Sequence, residues 1–146
     1  MNTSYIRSVT VREKRIYSRP KLRQKITSAD DVYFHLSEYK DMEQEHFIVL
    51  TLDGASRVIK TRVVSIGTIN QSLVHPREVF RPAIQDNAAG IIIAHNHPSG
   101  QLQASMEDKR VTKRLKEVGV IIGIELLDHV ILSCEGYLSL REEGLL

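Results

Sequence analysis

The residues of this chain best suited to chemistry are two histidines separated by one residue, in the string His95-Asn96-His97-Pro98-Ser99-Gly100. They follow directly on an apolar run, residues 90–94 (GIIIA). In an extended chain, side chains at i and i+2 project from the same face, so the two imidazoles can converge on one ion. Pro98 bars the chain from continuing as a central strand, and Ser99-Gly100 turns it. Imidazole nitrogen is a good zinc ligand, and three protein ligands plus a water is the usual catalytic arrangement. The end of a strand is also where α/β folds commonly place their sites.

Helix geometry suggests the third ligand. A helix over about residues 105–118, closed by Gly119, carries Val111, Leu115 and Val118 as its apolar stripe. At 100° per residue, Asp108 lies within about 60° of Val111 and about 20° of Leu115. The carboxylate therefore points to the buried face, where it needs a positive partner or a metal. Ser105-Met106-Glu107-Asp108 also has the form of a capping box. The two roles are compatible, and the histidines just upstream favour a zinc site made of His95, His97 and Asp108.

A zinc hydrolase also needs a general base and a donor for the developing oxyanion. Glu45, at the mouth of a strand over residues 46–53, is the first candidate for the base and Glu43 the second. The plain alternative is that both are exposed loop carboxylates. Ser105 is the candidate hydroxyl donor.

The elements that must position these groups follow from periodicity and punctuation. Residues 5–13 alternate as a strand, and Arg19-Pro20 with the charges after it reads as a linker. Residues 27–30 offer N-caps for a helix over about 28–39, with Val32, Leu36 and Tyr39 on one face. Residues 46–53 form a buried strand, Asp53-Gly54 a turn, and residues 57–65 its hairpin partner, followed by Gly67. Pro76 opens a helix carrying Val79, Phe80, Ile84 and Ala88, closed by Gly90. Residues 90–94 read as a strand buried on both faces, 95–104 as a loop, and 120–128 and 129–133 as two further strands. The order β-α-β-β-α-β-α-β-β implies a mixed α/β (α+β) fold, a mixed sheet with helices packed on its faces.

The 146 residues suit one domain with its own core. With a single cysteine, Cys134, there is neither an internal disulfide nor a cysteine-based zinc site. The first twenty residues have no apolar signal segment, and no apolar run could span a bilayer, so a cytoplasmic, non-membrane protein is expected. Residues 1–25 hold eight Lys and Arg against Glu13 alone, so with a total charge of +2 the remainder carries −5. Such a basic arm could touch nucleic acid or an acidic partner; the plain reading is a solvated edge strand and linker.

The motif residues resemble the RadC family, whose domain belongs to the JAMM/MPN metalloprotease-like superfamily. The carrying features are the string His95 to Gly100, the Ser-x-x-Asp of Ser105 and Asp108, Val64-Ser65-Ile66-Gly67-Thr68, Val74-His75-Pro76-Arg77-Glu78-Val79-Phe80, Asn87-Ala88-Ala89 and Leu127-Asp128-His129. The similarity runs from about residue 27 to 140. It implies a JAMM/MPN fold, layered like cytidine deaminase, with residues 1–26 as an arm and 27–146 as the domain. It also implies zinc on His95, His97 and Asp108, with Glu45 as base. Two departures stand out. Ala104 replaces the proline that such loops often carry, and the chain lacks the N-terminal helix-hairpin-helix segment of longer members, so a short stand-alone member is expected.

The function expected is a zinc metallopeptidase cleaving peptide or isopeptide bonds of a peptide or protein substrate. The alternatives are a DNA-repair-associated DNA-binding or nuclease factor, using the basic arm, and a non-catalytic zinc-binding interaction module. Structural roles are expected for His75, before a helix, and for His129, in a turn between strands with a hydrogen-bonded side chain. Ser65 and Thr68 either line the cleft or end a strand. Arg77 and Glu78 pair at the surface, and Cys134 reads as a small buried residue. Ser99 is no hydrolase nucleophile, because the Gly-x-Ser-x-Gly elbow is absent.

Overall fold

A computed structural model describes residues 23–70 and 72–146. Most of the basic arm, including the strand expected over residues 5–13, lies outside the described residues. The chain runs α1 (Ala29–His35), a 3-10 turn (Ser37–Tyr39), β1 (His46–Leu52), β2 (Val58–Ile66), α2 (Pro76–Gln85), β3 (Gly90–Asn96), α3 (Met106–Ile122), β4 (Glu125–Ser133) and β5 (Gly136–Ser139). The strands form one mixed sheet in the order β2-β1-β3-β4-β5. Only β3 and β4 are parallel, and α3 supplies the crossover that a parallel pair requires.

Strand alternation divides the core in two. Ile48, Leu50, Leu52, Ile92, Ala94, Val130 and Leu132 face one way and pack against Ala29, Val32 and Leu36 of α1. Phe47, Val49, Ile91 and Ile93 face the other way, against Val79, Phe80 and Ala83 of α2 and Val111 and Leu115 of α3. All seven residues of β3 are buried, as befits a central strand covered on both faces. The β1–β2 turn is held by Asp53, whose Oδ1 accepts from the amides of Ala55 and Arg57 at 2.9 Å each.

Several boundaries differ from the sequence expectations. The strand 90–94 continues through His95, which pairs with β1 and β4, and Asn96, which pairs with β4, instead of opening a loop. α2 stops at Gln85, with Asp86 as its C-cap and Asn87 at φ 52°, so Ala88 lies beyond it and Ile84 is exposed. α3 does not end at Gly119. It runs on to Ile122 and is capped by Gly123 at φ 84°, a left-handed conformation that glycine adopts without a steric penalty. Gly119 lies instead where the helix presses on the chain entering β4: a Cβ there would meet the Ile124 carbonyl oxygen at 2.5 Å. The two strands expected over 120–133 are one, β4, and β5 supplies the last strand. Cys134 is exposed, because it occupies the two-residue turn between β4 and β5. Among the described residues no helix is long and apolar enough to cross a membrane.

Candidate metal centre

His95 is the last residue but one of β3, with its ring on the α3 side of the sheet, and His97 follows two residues on. Asp108 sits in the first turn of α3 with its carboxylate 3% exposed. One ligand atom from each of the three lies within 4.8 Å of the others. His95 Nε2 is 2.9 Å from His97 Nε2 and 3.3 Å from Asp108 Oδ1, and His97 Nε2 is 3.4 Å from Asp108 Oδ2. His97 Nδ1 lies 2.8 Å from the Gln101 carbonyl oxygen. A carbonyl only accepts, so Nδ1 donates and the neutral ring keeps its Nε2 lone pair for the centre. Two imidazole nitrogens and a carboxylate, brought together from a strand end and a helix start, are a donor set that could hold a metal ion.

Asp108 also builds the start of its own helix. Ser105 Oγ accepts from the Asp108 amide at 3.0 Å, and Asp108 Oδ2 accepts from the Ser105 amide at 2.8 Å, so both halves of the capping box form. Burial works to raise the Asp108 pKa. The hydrogen bonds that protonated His95 and His97 make to it, the charge of a protonated His95 and the Ser105 amide outweigh burial and hold the carboxyl far below the usual carboxylate range. For His97, partial burial acts to lower the pKa, but the hydrogen bonds to Asp108 and Gln101 and the charges of Asp108 and Glu45 leave it above the ordinary value.

Glu45 and Ser105 line the same cleft of about 660 Å³ as His97 and Asp108. Glu45 Oε2 accepts from the Ile69 amide at 3.0 Å, which anchors one carboxylate oxygen; no further hydrogen bond engages Oε1 among the described residues. Glu43 is exposed and does not line this cleft. Thr68 lines it, whereas Ser65 does not; the Ser65 hydroxyl is buried with no hydrogen-bond partner. His75 is the N-cap residue of α2 and stands outside the cleft, and Arg77 pairs with Glu78 at 3.5 Å on the surface.

Sequence reasoning passed over two contributors and misplaced a third. Asn96 projects opposite to the histidines. Its side chain accepts from the His46 amide at 2.6 Å and donates to the carbonyls of Gln44 at 2.9 Å and Met42 at 3.2 Å, which fixes the segment carrying Glu45. Its position between two ligands, in a strand otherwise apolar, was the available signal. Thr112 stands one helical turn after Asp108 and is buried; the i, i+4 spacing pointed to it. His129 is mid-strand in β4, not in a turn as expected, although its side chain is hydrogen-bonded. Its Nε2 lies 2.7 Å from His95 Nδ1 and its Nδ1 2.6 Å from Thr112 Oγ1. Complete burial, with the charges of His95 and His97 adding and Asp108 opposing, holds His129 well below the ordinary histidine range.

A family model described as RadC-like JAB domain matches residues 26–145. Relatives named UPF0758 protein include one from Rubrobacter xylanophilus, 53% identical over 106 residues, covering 73% of this chain and 46% of the relative. Another, from Chlorobium chlorochromatii, is 47% identical over 131 residues, 89% of this chain and 59% of the relative. A third, from Thermotoga maritima, is 47% identical over 121 residues, 83% and 54%. The chain spans about half the length of the curated relatives it matches. Its five-stranded mixed sheet with helices on both faces is JAB/MPN-like, and with a match over most of its length the chain belongs to the RadC-like JAB domain family.

Proposed function

We propose that this domain is a zinc-dependent hydrolase of the JAMM type, a metallopeptidase acting on peptide or isopeptide bonds. The observation that carries the reading is the convergence of His95, His97 and Asp108 within 4.8 Å, beside a cleft that Glu45 and Ser105 share. His95, His97 and Asp108 would hold the zinc ion, which would supply Lewis acidity and make water a stronger acid near neutral pH. Glu45, steadied through Oε2 by the Ile69 amide, takes a proton from water with its remaining oxygen and passes it to the leaving amine. Ser105 uses only an oxygen lone pair in capping, so its hydroxyl hydrogen is free to be donated to the substrate oxygen as charge develops.

The test is metal analysis of the purified protein beside a screen of peptide and isopeptide substrates. The wild type is expected to hold one zinc per chain and to cleave at least one substrate. Glu45→Gln keeps the zinc and loses turnover, and His97→Ala loses the zinc. A Glu45→Gln protein with full activity removes Glu45 as base; a wild type that holds zinc yet cleaves nothing in the screen removes the peptidase reading.

A further inference from the structure

Behind His95 lies a chain of buried groups that the proposed reaction does not use. Thr112 Oγ1 carries one hydrogen and lies 2.6 Å from the backbone carbonyl oxygen of Asp108, which can only accept. The hydroxyl hydrogen is committed there. Thr112 Oγ1 is also 2.6 Å from His129 Nδ1, so at this contact the oxygen accepts and His129 Nδ1–H donates. His129 is fully buried and neutral, which leaves a lone pair on its Nε2. His95 Nδ1 is 2.7 Å from that nitrogen and must supply the hydrogen between them. When neutral, His95 therefore carries its proton on Nδ1 and turns the lone pair of Nε2 toward His97 and Asp108.

We propose that His129 and Thr112 are positioning residues that lock His95 in its Nδ1–H tautomer, so that Nε2 is the atom offered to a metal ion. This rests on the metal site proposed above. The chain starts at the backbone of one proposed ligand, Asp108 on α3, passes through β4 and ends on another, His95 on β3. It thus ties ligand chemistry to the packing of α3 against the sheet. A ring that only filled space here would need volume alone: Phe47 lies against both rings, with centroids 6.4 Å from His95 and 6.0 Å from His129.

Two measurements separate the possibilities. The first is the tautomer of His95 in metal-free wild type at pH 8, read from two-bond nitrogen–proton couplings in the NMR spectrum. A proton on Nδ1 is expected; a proton on Nε2 overturns the proposal. The second is zinc affinity by competition with a chromophoric chelator. Outer partners of metal-bound histidines contribute about 10–100-fold in affinity. His129→Leu keeps bulk but offers no acceptor, so it is expected to lose about that much and to mix the two tautomers. His129→Gln, which retains an acceptor and a donor, restores most of both. Zinc bound by His129→Leu as tightly as by wild type, with the His95 tautomer unchanged, overturns the relay. Should His129→Leu not fold, the wild-type tautomer still decides. A wild type that binds no zinc while His95 carries its proton on Nδ1 overturns the metal site and leaves the tautomer lock standing.

Discussion

Replacing Gly119 with alanine sets two effects of opposite sign against each other. In a helix interior, alanine is favoured over glycine by about 1 kcal/mol, so propensity alone predicts a stabler protein. The added Cβ, however, would lie 2.5 Å from the Ile124 carbonyl oxygen, 3.5 Å from Phe80 Cζ and 3.6 Å from the Leu126 amide nitrogen. The first distance is roughly 1 Å inside an ordinary non-bonded separation. The obstacle is backbone leading straight into β4, so no rotamer change relieves it and α3 must lift from the sheet. Overpacking of this kind costs about 1–3 kcal/mol, and a fixed obstacle places the cost toward the upper end. The expected net effect is a destabilisation of about 1–2 kcal/mol. With a urea m-value of about 1.5 kcal/mol/M, the midpoint falls by about 1 M. Val120→Ala, at a position 77% exposed on the same helix, is the control for propensity without contact, and its midpoint should hold or rise slightly. A Gly119→Ala midpoint at or above wild type, at unchanged m, would refute the close-approach argument.

Ser105→Ala removes the cap on the Asp108 amide, at a cost of about 1 kcal/mol, and the thermal midpoint drops by about 4 °C. If its hydroxyl also serves the oxyanion, turnover on a peptide substrate falls about 10²–10³-fold while Ser105→Thr recovers both; full activity in the alanine variant would dismiss that role. Asp86, its side chain 4% exposed, accepts from Arg62 at 2.7 Å and Thr51 at 2.9 Å and so ties the end of α2 to β1 and β2. Burial acts to raise its pKa, but the hydrogen bonds from Arg62 and Thr51 and the charges of Arg62 and Lys60 bring it below the ordinary value. Its stabilising contribution is therefore present above the unfolded pKa of about 3.9 and fades as pH falls through the lower folded value. Asp86→Asn should cost about 2 kcal/mol at pH 7 in urea unfolding, a gap that narrows below about pH 4; a gap independent of pH would mean that the charge is not what matters.

The proposed ligand set was readable because each of its relations is local. Alternation along an extended chain puts His95 and His97 on one side, and the helical wheel turns Asp108 toward the same buried space. The capping box announces where that helix starts. What escaped notice depends on distant or ambiguous signals. Gly-Val-Ile-Ile-Gly, residues 119–123, offers two glycines as helix ends and β-branched residues that suit a strand. Only the contact of Gly119 with Ile124 and Phe80 explains why the second glycine is the cap. His129 meets its partner 34 residues away, through strand register that no local pattern reveals. The exposure of Cys134 follows from a two-residue turn whose second strand, β5, is only four residues long.

The reciprocal Ser105–Asp108 bonds have a kinetic corollary. One carboxylate both caps the leading turn of α3 and faces the two imidazoles, so melting of that turn would also withdraw it from the imidazoles. Helix termini fray far more often than whole domains unfold. Unwinding of that first turn would therefore give a bound cation a second way out, beside direct release from the intact site.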